Sequence, residues 1–197
     1  MDRPRPDGHW RSSTQRVRPG TGWGLGFPAA VVSTVVRRVT GTRTVNLFTT
    51  LGRDWRLFGP WLVFASQLMP FGVLPRVDCE LVILRVAWNC RCRYEWEHHM
   101  RLGRRAGLDD RAITRVQDGP GAAGWSPRQA AILAAVDELH TERTIGDATW
   151  DALAAHLDDR ALIELCMLVG HYEMLAMTIN ALGIQVDQPT ADRQAVR

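Results

Sequence analysis

RVDCELVILRVAWN (Arg76–Asn89) runs straight into CRCRYEWEHHMRLGRRAG (Cys90–Gly107), and the join between them decides how this chain folds. In the first half Leu81, Leu84 and Trp88, with Val77 one turn earlier, recur at helical spacing and make one apolar stripe. Pro75 stands where such a helix opens. The second half keeps helical spacing from Arg91 to Ala106, and Gly107 supplies its C-cap. Glu80 is the misfit, a carboxylate heading the apolar run LVILRVAW. On one continuous helix Glu80 and Cys92 would point about 120° apart. They meet only if the chain breaks near Asn89–Arg91 and the two helices cross.

Outward from this pair the pattern stays helical. Thr44–Leu51 and Trp55–Met69 carry apolar residues at three- and four-residue intervals. Pro28–Val39 is a weaker helix, because β-branched residues crowd it. After Gly107, Asp109 or Asp110 caps a short helix that stops at Gly119, and Ser126 with Pro127 starts one reaching about Glu142. Asp147–His156 is short; Asp158 or Asp159 caps a last, long helix, apolar on most sides and so expected to be central. No alternating strand with hairpin turns occurs. The expected fold is all-α, a single-domain bundle of about seven helices over 28–187. Residues 1–27, rich in Pro and Gly, read as a flexible arm, and 188–197 as a disordered tail.

Composition narrows the function. Of 197 residues 46% are apolar and 23% charged, the balance of a soluble globular chain rather than a disordered one. The net charge of +3 comes entirely from Arg on the basic side, much of it before residue 60, with no nucleic-acid-binding motif beside it. Four cysteines (Cys79, Cys90, Cys92, Cys166) are too few and too clustered for a secreted disulfide framework. No uninterrupted apolar run reaches the roughly 18 residues of a membrane span. A cytoplasmic protein that binds neither nucleic acid nor membrane is expected.

The chemistry concentrates at the junction. Cys92, Glu95 and His99 sit at i, i+3 and i+7, on one helix face. A cysteine in a first helical turn meets unpaired N–H groups, which lower a thiol pKa. His99 then offers a general base. A buried core thiol is the plain alternative for Cys92. Cys79 and Cys166, in apolar runs, read as structural, while Glu97 and His98 fall on the outer face. Cys90, Cys92, His98 and His99 are zinc-type ligands, but neighbouring histidines diverge by about 100° on a helix, so no metal and no cofactor is expected.

These residues resemble the carboxymuconolactone decarboxylase family, which includes the alkylhydroperoxidase D proteins. The likeness runs from about Asn46 to Asp187 and is carried by NLFTTLGRDWRLFGPW, by the Glu80–His99 stretch, and by LIELCMLVGHYEMLAMTINALGIQVD. The peroxidase branch has a Glu, a C-x-x-C twelve residues on, and a His four beyond the second Cys. Glu80, Cys92 and His99 match; Glu95 stands where the second cysteine would be. The form YEW-x-x-H (Tyr94–Trp96 with His99) is similar to a subgroup lacking the cysteine pair.

The resemblance implies a peroxidase in which Cys92 reduces a hydroperoxide, Glu80 and His99 relay protons, and an external thiol restores the sulfur. Cys90 is a possible resolving thiol, although C-x-C closes a strained ring. A carboxylate close to Cys92 disfavours thiolate, so Glu95 must be turned away or protonated. The rival enzyme is an acid/base lyase on a small carboxylated lactone, using Glu80, Glu95 and His99, with Arg85 or Arg91 on the substrate carboxylate. A non-catalytic assembly protein is the third reading. The family implies a homo-oligomer, a trimer or hexamer, in every case. On the last helix, His171 reads as a core or interface histidine and Asn180 as a weaker candidate.

Overall fold

The structure, a computed structural model, describes residues 8–11, 14–20 and 44–188. Among these residues are eight α-helices and no strand: α1 (Asn46–Leu51), α2 (Trp55–Leu68), α3 (Arg76–Asn89), α4 (Arg93–Ala106), α5 (Asp110–Arg115), α6 (Pro127–Glu142), α7 (Asp147–Ala154) and α8 (Asp159–Leu182). A 3₁₀ turn over Val116–Asp118 follows α5. The expected all-α class holds. The helix expected over Pro28–Val39 and the tail beyond 188 lie outside the described residues.

Helix ends follow local chemistry. Asp109 caps α5, its side chain accepting from the Ala112 N–H at 2.6 Å. Ser126 and Gln129 form a reciprocal capping box at α6, with Pro127 behind it. Asp158 accepts from the Ala161 N–H at 2.9 Å and caps α8. Gly107 closes α4 at φ 109°, a conformation that costs glycine little. The break between α3 and α4 falls where expected: Arg91 takes φ 54°, reversing the chain, and the Cys92 N–H turns back to the Ala87 carbonyl at 2.8 Å. Cys92 is therefore the extended N-cap of α4, and the helix begins at Arg93 rather than Arg91.

The chain forms two compact units. The first comprises residues 1–11 and 66–178. Its core joins Leu81, Leu84 and Ala87 of α3 to Trp96 and Met100 of α4, Ile113 and Val116, and Leu133 of α6. Leu81, Val82, Ile83 and Leu84 are all fully buried, so α3 is enclosed on every side and is the central helix of this unit. Helix α8, expected in that place, instead exposes Ile163, Met167, Met174 and Met177 along one stripe. It is also the helix among the described residues that is long and apolar enough to cross a membrane, with 56% of its most apolar window buried inside the chain. Gly8–Arg11 lies over the α3–α4 turn: His9 stacks on Trp88, and Trp10 meets Trp88 and Trp96 edge-on or tilted.

The second unit comprises residues 12–65 and 179–197. Phe58 is its buried centre, packed by Phe48, Leu51, Trp61 and Leu62. Asp187 accepts from the Asn46 N–H at 2.7 Å and so satisfies the start of α1. The Arg16 N–H donates to the Leu182 carbonyl at 2.9 Å.

Candidate active site

The start of α3 is held by a carboxylate of α8. Glu164 accepts from the Val73 N–H at 2.6 Å and the Leu74 N–H at 2.9 Å. Gly72 is required there, since a Cβ would strike the Glu164 carboxylate and the Leu68 carbonyl. One turn into the helix Asp78 is paired with Arg128 of α6 at 2.8 Å. These fixings aim Glu80 inward at 0% exposure.

Glu80 meets α4 across a close helix crossing. Gly103 makes the approach possible: a Cβ there would sit 3.2 Å from Leu108 and 3.5 Å from Leu84, against the Glu80 stem. The Glu80 Oε2 lies 2.7 Å from His99 Nδ1, while Oε1 lies 2.7 Å from the Arg76 guanidinium one turn back. Arg76 is half-exposed and carries the charge of this buried pair toward solvent. With Nδ1 on the carboxylate, His99 keeps Nε2 for a reacting group. Its ring meets the edge of Tyr172 from α8 at 5.2 Å. The Tyr172 phenol is pushed well up, first by burial and then by Glu80 and Glu95.

Cys92, Glu95 and His99 all face inward, as their spacing implies. Cys92 is 0% exposed and Glu95 2%. Helix-start geometry alone favours a thiolate, and the Glu95 N–H does act in that direction. Burial and the adjacent Glu95 carboxyl overcome it and hold the Cys92 thiol well above its usual range. The expectation of a lowered thiol pKa is thus corrected: a fully desolvated sulfur loses more than a helix N-terminus returns. Glu95 is itself driven well up by burial, opposed by the Cys92 thiol and reinforced by Glu173. Neither of its oxygens has a nitrogen or oxygen partner at hydrogen-bond distance among the described residues. Burial thus favours the protonated form of both Cys92 and Glu95.

Other expectations fare unevenly. Arg85 holds Asp137 with two hydrogen bonds (2.6 and 2.8 Å) and donates to the Val116 carbonyl at 2.7 Å, so it braces α3 on α6 and is not free to clamp a substrate. Arg91 is exposed at the turn. His98 is not on a solvated face; it is half-buried beside Tyr94, and burial pulls its imidazole down to about 3. His171 is buried and drawn down to about 4 by burial, as befits a core histidine. Asn180 belongs to the second unit. Cys79 is buried, its thiol pushed up to about 12, and Cys166 is half-buried. Sequence reading missed Arg76 and Tyr172. The Arg76–Glu80 pair at i, i+4 was a readable signal; Tyr172, inside an apolar run, gave only its polar tip.

The all-helical fold is similar to that of solved alkylhydroperoxidase D-like proteins. Residues 61–138, spanning Glu80, Cys92, Glu95 and His99, match the sequence model of the carboxymuconolactone decarboxylase family. Among solved structures, the chain is similar to an alkylhydroperoxidase AhpD core, a peroxidase-related protein from Ralstonia eutropha JMP134. That likeness has TM-score 0.76 at 18% identity over 91% of this chain and 95% of the other. A peroxidase-related protein from Silicibacter sp. TM1040 gives TM-score 0.76 at 15% identity, over 99% and 98%. The debrominase Bmp8 gives 0.74 at 15%, over 92% and 96%, and a cysteine-to-alanine form of it is known in complex with 2,3,4-tribromopyrrole. No curated protein matches the sequence.

Proposed function

We propose that the protein is a one-thiol hydroperoxide reductase of the alkylhydroperoxidase D-like type. The observation that carries this reading is the buried Cys92–Glu95 pair on the same α4 face as His99, which is itself bound to Glu80. Burial favours the neutral form of Glu95, and in that form it adds no full charge against a forming thiolate. The Cys92 sulfur attacks the terminal peroxide oxygen, the O–O bond breaks, and its electron pair leaves on the alkoxide. The thiol proton passes to the Glu80–His99 relay, and the alkoxide departs as alcohol after taking a proton back. One thiol and one hydroperoxide thus give one sulfenic acid and one alcohol. With Glu95 in place of a second cysteine, two equivalents of an external thiol return Cys92 to the thiol and release water and a disulfide. A reducing, cytoplasmic setting, in which thiols stay reduced, suits this cycle.

The solved neighbours with peroxidase-related and debrominase names support small-molecule chemistry on this fold. The exposed apolar stripe of α8 supports assembly into a homo-oligomer, a trimer or hexamer.

The second reading is acid/base lyase chemistry on a small carboxylated lactone, with Glu80 and His99 moving the proton. It is favoured by the protonated, fully buried state of Cys92. Steady-state assay of Cys92→Ser separates the two. Loss of hydroperoxide consumption with the fold intact supports the thiol reaction, and undiminished turnover overturns it.

A further inference from the structure

We propose that Cys90, His140 and Glu173 form a zinc-type metal site, separate from the Cys92 reaction. The three donors converge from three elements of the first unit: Cys90 from the end of α3, His140 from α6 and Glu173 from α8. Their ligand atoms all lie within 4.8 Å of one another. His140 Nδ1 is 4.0 Å from the Cys90 sulfur and 2.6 Å from Glu173 Oε1. A single ring nitrogen thus faces both a thiol and a carboxylate, the arrangement of donors around a shared point.

The donor chemistry selects the ion. Thiolate, imidazole and carboxylate together suit Zn²⁺, and three protein ligands leave its fourth tetrahedral position open. Tetrahedral zinc places its sulfur and nitrogen ligands ~3.6 Å apart and its nitrogen and oxygen ligands ~3.4 Å apart. Sulfur and nitrogen therefore close by a few tenths of an ångström and the carboxylate swings back somewhat more, movements that side-chain rotation supplies. Charge fits as well: a thiolate, a carboxylate and a neutral imidazole balance a dication. Without an ion, burial and the Glu173 carboxylate drive the Cys90 thiol up, and a dication reverses both effects. Among the described residues Arg143 is an opposing cation near the carboxylate, 3.7 Å from the other oxygen, Oε2, on a side chain 70% exposed and able to move out.

Access distinguishes this site from the Glu80–Cys92 cluster. Cys90 and His140 are both half-buried, so an ion reaches them from solvent. The four residues whose spacing first suggested zinc, Cys90, Cys92, His98 and His99, do not form such a group; only Cys90 is shared. A metal-bound Cys90 is also withdrawn from service as a resolving thiol.

The test uses the full chain, stripped with chelator and titrated with Co²⁺ alone, with thiolate-to-cobalt charge-transfer absorption as the readout. Zn²⁺ stoichiometry is read in parallel by equilibrium dialysis and elemental analysis. One zinc per chain is expected, with a cobalt band that disappears in Cys90→Ser and persists in Cys92→Ser. Glu173→Gln keeps the hydrogen bond to His140 but removes the anionic ligand. It should weaken binding by at least the roughly 10–100-fold that loss of a supporting residue costs, with far-UV circular dichroism unchanged. Substoichiometric zinc, a band that survives Cys90→Ser, or unaltered affinity in Glu173→Gln overturns the site. None of these readouts uses turnover, so their failure leaves the peroxidase reading untouched.

Discussion

Glu80 and His99, 19 residues apart in the chain, meet at 2.7 Å with both side chains buried, joining the centre of α3 to the face of α4 that carries Cys92. The contact requires two things at once: the chain reversal at Arg91 and the close crossing at Gly103. It ties fold and chemistry together, because a change at either residue disturbs both.

Removing one partner leaves the other buried and uncompensated. Glu80→Ala is expected to cost about 3–5 kcal/mol of stability in urea unfolding, the usual penalty for half of a buried pair. Glu80→Gln retains the shape and is expected to fold, but its turnover should fall by roughly 10²–10⁴ through loss of the relay. Equal turnover in Glu80→Gln and the parent would show that the contact is architectural only.

The raised thiol sets the pH dependence of reactivity. With the Cys92 thiol held well above 9.0, the rate of its alkylation or peroxide reaction should climb steadily from pH 7 to pH 9 without a plateau. Stopped-flow kinetics with peptide mapping measures this. A plateau below pH 8 at Cys92 would mean that the sulfur is more solvated or better compensated than its burial implies.

Glu95 contributes to stability with a definite sign. Its folded carboxyl lies above the usual 4.5, so the folded state holds a proton that the unfolded chain releases. The stability it provides is fully present below 4.5 and is lost as pH rises through the folded value. Glu95→Gln is therefore expected to be more stable than the parent at pH 7, with a flatter profile of urea midpoints above pH 5. A lower midpoint for the variant at pH 7 would contradict a Glu95 carboxyl raised by burial.

The sequence carried the local part of this site well. Helix ends at Gly107, Asp109 and Ser126–Pro127 follow from caps and turns, which are short-range and leave their signature in neighbouring residues. The break at Asn89–Arg91 and the shared inward face of Cys92, Glu95 and His99 were legible for the same reason. What escaped depends on contacts across the chain. The Arg85–Asp137 pair spans 52 residues, and the His140–Glu173 contact 33, with no local pattern to announce either. The Cys92 thiol went wrong in direction because helix position is readable and depth of burial is not. His98 misled for that reason too.

Restoring the missing cysteine gives a structural check on the Cys92–Glu95 contact. Residues at i and i+3 across a helix start bring their Cα atoms to about 5–6 Å, within disulfide range. Glu95→Cys is expected to form an intramolecular disulfide with Cys92 under mild oxidation and to remove the buried carboxyl in the same step. Non-reducing mass spectrometry after trypsin detects the linked peptide; its absence would mean that the two side chains diverge.

In the proposed reaction Cys92 is the sulfur that meets the hydroperoxide. This is tested most directly by intact-mass spectrometry after a brief, substoichiometric hydroperoxide pulse with dimedone present to trap sulfenic acid. One adduct per chain is expected, mapping to Cys92, with slower formation in Glu80→Gln. No adduct at Cys92, or an adduct confined to another cysteine, would contradict it and leave the Glu80–His99 pair as an acid/base site.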